Sequence, residues 1–353
     1  LMSNKNESAA KHLVENKKNL YSSNLLIKQT RDFIENKKAK KIKNMFNCNN
    51  VNDVIAEILY VIANLYSTEG DYQLSNFYLK ISLFLNNKFI ANKTLLAENF
   101  YKQKKYDLSK KTYDSLKKIG PVYSWYASIN SSIILLTTDG EKKAVSSLKK
   151  NFDLISNPNF GHYYDMANFL KDNENYKEAI KYYSLALTNI ERDNTLTAQI
   201  LYRRGTSYER IDDWENAEID LLESLKISPE QAHVLNYLAY SWIEKGIKIN
   251  KSLGMLTKAT ELKKNDGYII DSLGWAYFKN KNYELAKKYL QKAVELMPLD
   301  PVVNDHYADV LWMSNQNIQA RYFWNHVLNL ENTKEELKEI INKKLVFGIS
   351  KKL

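Results

Sequence analysis

Small residues recur at the same three positions of a period of about 34 residues along most of the chain. Counting from Gly267, they are Gly274 at position eight, Ala286 at position twenty and Ala293 at position twenty-seven. Such spacing predicts two amphipathic helices per period, because small side chains let the two helices approach closely. One such pair cannot bury its apolar face alone, so successive pairs are expected to stack into a solenoid.

The frame divides the chain into eight repeats with a different segment at each end. The predicted array covers 56–334, and its repeats lie near 56–89, 90–123, 124–159, 160–193, 198–231, 232–266, 267–300 and 301–334. Residues 1–55 are predicted to be a helical, basic flanking segment. A capping box at Thr333–Glu336 predicts a helix within 335–353 that shields the last repeat from water. All five prolines lie at or beside repeat boundaries, where a helix must stop.

Composition narrows the chemistry that this chain can perform. Cys48 is the lone cysteine, so neither an intrachain disulfide nor a cysteine-based zinc site can form. No two of the five histidines are spaced i, i+4, and no nucleophile–base pair is visible. We therefore expect no metal site, no cofactor and no enzymatic activity. No apolar stretch reaches the roughly 20 residues of a membrane helix.

The positive charge is concentrated at the two ends of the chain. Of the net charge of +10, residues 1–55 contribute +6 (11 basic, 5 acidic) and residues 334–353 contribute +3 (6 basic, 3 acidic). The repeat region is nearly neutral, so no nucleic-acid partner is expected. The densest basic run comprises Lys37, Lys38, Lys40, Lys41 and Lys43. We interpret it as a solvated helix face, and the alternative is contact with an anionic membrane surface.

A period of about 34 residues with these small positions is typical of the tetratricopeptide repeat. The chain is therefore identified as a member of that class, which implies an all-α, right-handed superhelix of about eight helix-turn-helix repeats. Its second half also resembles a narrower family of proteobacterial tetratricopeptide proteins. The similarity rests on Asp-Gly-Tyr-Ile-Ile-Asp-Ser-Leu-Gly-Trp-Ala-Tyr at 266–277, Leu-Asn-Tyr-Leu-Ala-Tyr at 235–240, Asn-Asp-His-Tyr-Ala-Asp at 304–309 and Ala-Arg-Tyr-Phe-Trp at 320–324.

Members of the narrower family are exported or lipidated proteins of the cell envelope, and one presents substrates to a periplasmic protease. This resemblance implies an adaptor in envelope protein processing or assembly. The start of this sequence differs from the family because it shows neither a signal segment nor a lipid-attachment cysteine. The implied location is the periplasm or outer membrane if a signal lies upstream, and the cytoplasm otherwise. The alternative function is a docking or regulatory region of a larger enzyme whose catalytic domain lies outside this chain.

In related superhelices, positions two, five, nine, twelve and thirteen of each first helix face the concave groove. Aromatic residues dominate these positions, and they bury a large area at low entropic cost when a protein or peptide binds. The predicted partner-binding residues are Tyr202, Asn236, Tyr240, Tyr268, Asp271, Trp275, Phe278, Lys279, Asp305, Asp309 and Trp312, with Tyr164 further upstream. Tyr240, Tyr268, Trp275 and Trp312 are the predicted anchors. The alternative for any single ring is packing between neighbouring helices.

Three acidic residues in this set indicate the charge of the partner. Asp271 and Asp305 occupy position five, and Asp309 occupies position nine of the last repeat. Repeats that grip the carboxylate tails of chaperones need basic residues and asparagine in such positions. The sequence therefore disfavours an acidic tail and favours a basic or neutral segment.

Overall fold

A computed structural model describes residues 8–9, 11–12, 24–36, 38, 45–190 and 195–349 of the protein. Within these residues all regular secondary structure is α-helical, so the predicted all-α fold is confirmed. The chain divides into two compact units, residues 1–174 (unit 1) and 175–353 (unit 2). None of the described helices combines the length and the apolar character needed to cross a bilayer.

In the described part of unit 1, residues 8–9 and 11–12 are helical, and they are followed by one leading helix, three helix hairpins and one further helix. Its helices are α1 (Leu25–Glu35), α2 (Val51–Thr68), α3 (Tyr72–Leu85), α4 (Ile90–Lys102), α5 (Tyr106–Leu116), α6 (Pro121–Thr138), α7 (Glu141–Asp153) and α8 (Phe160–Asp172). The hairpins are α2/α3, α4/α5 and α6/α7. The leading helix α1 packs on α6, where Gln29 is buried and accepts a hydrogen bond from the backbone N–H of Val122.

In the part of unit 2 that the structure describes, a single helix is followed by four hairpins and a capping helix. Its helices are α9 (Tyr176–Thr188), α10 (Thr195–Glu209), α11 (Trp214–Ile227), α12 (Ala232–Glu244), α13 (Ile249–Leu262), α14 (Gly267–Lys279), α15 (Tyr283–Leu296), α16 (Pro301–Met313), α17 (Asn317–Leu328) and α18 (Glu335–Phe347). The hairpins are α10/α11, α12/α13, α14/α15 and α16/α17. Helix α18 packs on α17 and buries Ile341 completely.

The recurring small residues lie where the paired helices meet. The alanines at positions eight, twenty and twenty-seven are fully buried, among them Ala239, Ala286 and Ala293. At Gly274 an added Cβ would lie 2.7 Å from Cγ of Leu290 on the facing helix. The close approach of the two helices therefore depends on a missing side chain.

The turn inside each hairpin contains a residue with a positive φ angle. These residues are Gly70, Lys104, Gly140, Asp212, Gly246, Lys248, Lys281 and Asn315. The left-handed conformation ends the first helix and reverses the chain within a few residues. For a non-glycine residue it costs about 1–2 kcal/mol.

Candidate partner-binding surface

The first helices of the four hairpins in unit 2 carry all eleven predicted partner-binding residues. These helices are α10, α12, α14 and α16, and α14 contacts both α12 and α16. Their contacts divide the predicted residues into two groups. One group packs between helices, and the other remains partly or largely exposed to solvent.

Asp271 and Trp275 form a buried layer with His306 between α14 and α16. Nδ1 of His306 lies 2.9 Å from Oδ2 of Asp271, and the imidazole stacks on the indole of Trp275 at 4.0 Å between centroids. The ring of Phe278 also stacks on this indole, at 4.7 Å between centroids. The side chains of Asp271, Trp275 and Phe278 are all less than 10% exposed. They therefore join neighbouring helices in this structure.

The protonation of His306 depends on two opposing effects. Burial lowers the pKa of the imidazole, whereas the Asp271 carboxylate, with Asp305 and Asp309 behind it, raises the pKa. The net pKa lies above that of an ordinary histidine, so the layer favours an imidazolium paired with a carboxylate.

Trp275 also connects the buried layer to the solvent-facing edge of α12. Its Nε1–H donates a hydrogen bond to Glu244 at 2.6 Å. The Lys279 ammonium lies 4.9 Å above the indole and 3.8 Å from the same carboxylate. Of these three side chains, Glu244 and Lys279 remain accessible to a partner.

Asp305 and Asp309 bind a lysine from the capping helix. Lys344 Nζ lies 2.7 Å from Asp305 and 2.8 Å from Asp309, and the indole N–H of Trp324 donates to Asp309 at 3.0 Å. Burial and the neighbouring Asp305 raise the pKa of Asp309 to about 7. Although burial lowers the pKa of Lys344, the two carboxylates raise it above the ordinary value. In this structure the chain itself supplies the cation that the acidic pair binds.

Trp312 contacts the end of the described chain. Its Nε1–H donates to the carbonyl oxygen of Ile349 at 3.2 Å, and its ring would clash with any Cβ at Gly348. The guanidinium of Arg321 lies 5.4 Å from the ring centroid. Trp312 is therefore half-buried beneath the segment that follows α18.

Tyr268 is the most exposed of the predicted anchors, with 57% of its surface accessible. Its hydroxyl donates a hydrogen bond to Oδ2 of Asp300 at 3.2 Å. A Cβ added at the adjacent Gly267 would lie 2.5 Å from Met297 and 3.4 Å from Leu296, so the end of α15 passes close to the start of α14. Leu296, Leu299 and Val302 are 41%, 70% and 47% exposed. These four residues, Tyr268, Leu296, Leu299 and Val302, are called the Tyr268 patch below.

Tyr202, Asn236 and Tyr240 are half-buried on α10 and α12. The ring of Tyr202 meets that of Tyr237 edge to face at 6.0 Å. Burial, followed by the charges of Glu244 and Asp271, raises the pKa of Tyr240, so its hydroxyl stays protonated. The Oδ1 atom of Asn236 is buried and makes no hydrogen bond within the described residues.

Three interacting residues were missed by the sequence reasoning, namely Glu244, His306 and Lys344. Glu244 lies at position thirteen of its repeat, which is one of the positions expected to face the groove, so the repeat period alone could have identified it. His306 was visible only as part of a family motif, and Lys344 only as one lysine of a capping helix. Their partners lie 35 and 39 residues away along the chain, and local patterning carries no signal for such contacts.

Two other predictions from the sequence, Tyr164 and the basic run, concern residues that precede unit 2 in the chain. Tyr164 is half-buried in unit 1 and stacks on Phe160 at 5.7 Å. Of the basic run, Lys38 is described, whereas Lys37, Lys40, Lys41 and Lys43 lie outside the described residues. In the described part of the chain no cluster of three or more His, Cys, Asp or Glu side chains has a metal-binding arrangement.

Comparison with known sequences supports the repeat class. Residues 160–230 and 268–300 each match the tetratricopeptide repeat. A TPR repeat-containing protein of Pseudomonas aeruginosa is 24% identical over 186 residues, which are 52% of this chain and 31% of the relative. The match thus spans about a third of that relative's length. Residues 160–230 and 268–300 therefore carry tetratricopeptide repeats, and the regular secondary structure of the described residues is all-α.

One solved tetratricopeptide repeat structure shows the same fold. A tetratricopeptide repeat protein from Parabacteroides merdae superimposes with a TM-score of 0.52 at 19% identity, covering 63% of this chain and 85% of that one. The C-terminal part of a TPR repeat-containing protein from Cytophaga hutchinsonii gives a TM-score of 0.46 at 15% identity, covering 69% and 97%. The repeats together with the fold support a protein-interaction scaffold.

Proposed function

We propose that the protein is an adaptor whose unit 2 binds a segment of a partner protein through the first helices of its repeats. The Tyr268 patch carries this proposal. It places an aromatic ring and three aliphatic side chains in solvent, at the start of α14 (Tyr268), the end of α15 (Leu296), the turn that follows (Leu299) and the start of α16 (Val302). Contiguous exposed apolar surface of this kind marks protein-interaction sites.

The residues around the patch suggest how the binding surface is extended. Tyr202, Asn236, Tyr240, Lys279 and Trp312 are all at least partly accessible on the same set of helices. They would contact the partner directly. The buried residues Asp271, Trp275, Phe278, Asp305 and Asp309 would act indirectly, by holding the first helices at fixed spacing.

The charge of the exposed groups favours a basic or neutral partner segment with an apolar anchor. Asp266 and Asp300 border the ring of Tyr268. Burial is the largest cause that raises the pKa of the Tyr268 hydroxyl, and the negative charges of these two residues raise it further. An acidic segment would meet these two carboxylates unfavourably. A leucine or phenylalanine side chain flanked by lysine or arginine fits the patch best.

On the sequence resemblance, we place this adaptor in bacterial envelope protein processing or assembly. A partner that is an envelope protease or assembly factor would support that role. A cytoplasmic partner would contradict it. A catalytic domain joined to the repeats in a longer reading frame would instead favour the docking region of a larger enzyme.

A photo-reactive amino acid at position 268 tests the binding site directly. Cells expressing the labelled protein are irradiated, and covalent partners are identified by mass spectrometry. The matched control carries the same label at Tyr322, which is 68% exposed on the second helix of the last hairpin. We expect a distinct partner at position 268 that is absent at position 322.

The purified partner then permits a quantitative test with unlabelled variants. Tyr268→Ala should weaken binding by more than about fivefold, because truncating a true anchor costs over 1 kcal/mol. Tyr322→Ala should leave the affinity unchanged. Equal affinities for the two variants would show that the Tyr268 patch is not the docking site.

A further inference from the structure

Helix α2 opens the first hairpin of unit 1 and exposes a stripe of large aliphatic side chains. The stripe consists of Val51, Val54, Ile55, Ile58, Val61 and Leu65, with exposed fractions of 70%, 36%, 41%, 54%, 53% and 61%. We call it the α2 stripe. The opposite face of the same helix packs on α3 through the fully buried Ala56 and Ala63. Helix α2 is thus apolar on two faces, and one of them is uncovered among the described residues.

The α2 stripe follows the spacing of a helix–helix seam. Val51, Ile58 and Leu65 are seven residues apart, and Val54 and Val61 stand between them at the same interval. A seven-residue apolar spacing keeps one face of a helix against a straight or gently supercoiled partner helix. Contiguous exposed apolar side chains of this kind mark interaction surfaces rather than faces that contact only water.

The stripe is also nearly symmetric about its middle residue. Ile58 lies midway between Val51 and Leu65 and between Ile55 and Val61. The residue that corresponds to Val54 is Ile62, which borders the stripe and is half-buried. When two copies of this helix lie antiparallel across a two-fold axis through Ile58, each aliphatic residue of the stripe lies level with an aliphatic residue of the other copy. The two Ile58 side chains meet on the axis. This is the self-complementarity that an isologous dimer interface requires.

The polar residues of α2 agree with the antiparallel arrangement. Asp53, Glu57 and Asn64 lie along one flank of the seam, whereas Ile55 and Ile62 lie along the other. Antiparallel pairing sets apolar flank against apolar flank and polar flank against polar flank. The two Glu57 carboxylates then lie at the solvent-exposed rim, where water and salt screen them. Parallel pairing would set the isoleucine flank against the acidic one.

We propose that the α2 stripe is a self-association surface on which a second copy of the chain docks with its own α2, antiparallel about Ile58. The interaction surface is distinct from the Tyr268 patch, which lies in unit 2. One helix from each copy contributes less area than a standard interface of about 800 Å² per partner. The dimer is therefore expected to be weak, with a dissociation constant of about micromolar order.

Sedimentation equilibrium of the full chain over about 1–200 µM tests the dimer. We expect a reversible monomer–dimer equilibrium. Ile58→Glu should raise the dissociation constant by more than about tenfold, because two carboxylates would be buried together on the axis. Ile58 is 54% exposed in the single chain, so the substitution leaves the fold intact, and circular dichroism checks this. The matched control is Ile318→Glu, an 85% exposed isoleucine in unit 2, which should not change the equilibrium.

Cysteine cross-linking tests the direction of the pairing in a Cys48→Ser background, because Cys48 is itself exposed. Ile58→Cys alone should form an intermolecular disulfide under mild oxidation, since the two Cα atoms approach each other at the axis. Val51→Cys should cross-link efficiently only when mixed with Leu65→Cys. A disulfide formed by Val51→Cys alone would indicate parallel pairing and overturn the arrangement.

A chain that stays monomeric at all concentrations and forms none of these disulfides would overturn the proposal altogether. The stripe would then belong to another segment or another protein.

Discussion

Removing the Lys344 ammonium tests whether the capping helix is held in place by a buried ion pair. In Lys344→Met the side chain keeps its length and apolar stem but loses its charge. Asp305 and Asp309 would then remain buried, with exposed side-chain fractions of 10% and 8%, without their cation. Breaking a buried pair by removing one partner costs about 3–5 kcal/mol. Because Lys344 is itself 15% exposed, we expect a cost near the lower end of that range, about 3 kcal/mol.

The cost should depend on pH, and the structure gives its sign. Burial raises the pKa of Asp309 to about 7, so in the variant this carboxyl can take up a proton instead of remaining as a buried anion. Lys344 lowers the pKa of Asp309 in the wild-type chain, so this pKa rises further in the variant. The relief is therefore nearly complete at pH 5 and becomes smaller as the pH rises toward and beyond that pKa. The destabilisation caused by Lys344→Met should therefore be larger at pH 8 than at pH 5.

Native-state hydrogen exchange is the suitable assay, because repeat arrays open in parts and a single unfolding transition would average over them. The opening free energy of amides in α16, α17 and α18 should fall by about 3 kcal/mol at pH 8, and the opening free energy of amides in unit 1 should not change.

The matched control is Lys338→Met on the same helix, whose partner Glu335 is 82% exposed. A surface pair of this kind contributes less than about 1 kcal/mol. Equal effects of the two substitutions would refute the reasoning. Asp305→Asn together with Asp309→Asn should restore much of the loss in Lys344→Met.

Three further predictions concern unit 2. The pKa of His306 is raised by folding, so the imidazole binds its proton more tightly in the folded chain. Its stabilisation is complete below the unfolded pKa of about 6.5 and is lost as pH rises through the folded value. The free energy of unfolding from urea titrations should therefore be lower at pH 8.5 than at pH 5.5, and His306→Gln should reduce this drop, leaving the part that comes from Asp309. Gly274→Ala should lower the free energy of unfolding by about 1–2 kcal/mol, because its Cβ would overlap Leu290 on the facing helix. Gly254→Ala should raise the free energy of unfolding by about 0.5–1 kcal/mol, because alanine favours the helix and its Cβ would meet nothing within 4 Å. Lys281→Gly should raise thermal stability by about 0.5–1 kcal/mol because glycine adopts the left-handed turn without strain. Thermal melts of the three glycine-related variants against wild type decide these signs.

The repeat frame was readable from sequence because it is a local property. Gly274 and Ala286 are separated by twelve residues, the distance from one helix to the next within a hairpin. A large residue at either position would hold the two helices apart, so the constraint appears as residue size at fixed spacing. Helix ends were also readable in part. Pro121 and Pro301 begin helices, although the first was predicted to lie at the end of a repeat.

The candidate site was readable only as a set of positions on the first helices. Each of the last two repeats has an aspartate at position five. The sequence does not show which side chain contacts each of these carboxylates. Asp271 meets an imidazole from the following repeat, and Asp305 meets a lysine from the capping helix. Both contacts depend on how neighbouring hairpins stack, which a single repeat does not encode.

The sequence alone determined the all-α class, the hairpin period and the residues that line each helix, because these follow from side-chain size and polarity within about 34 residues. Only the tertiary structure decided which of those residues reach solvent. Tyr268 lies at the exposed end of its helix, whereas Trp275, two turns further along the same helix, is covered by the imidazole of the next repeat. The physical reason is that exposure belongs to the stacked array. A residue on one helix is buried by a neighbour that the chain supplies one repeat later.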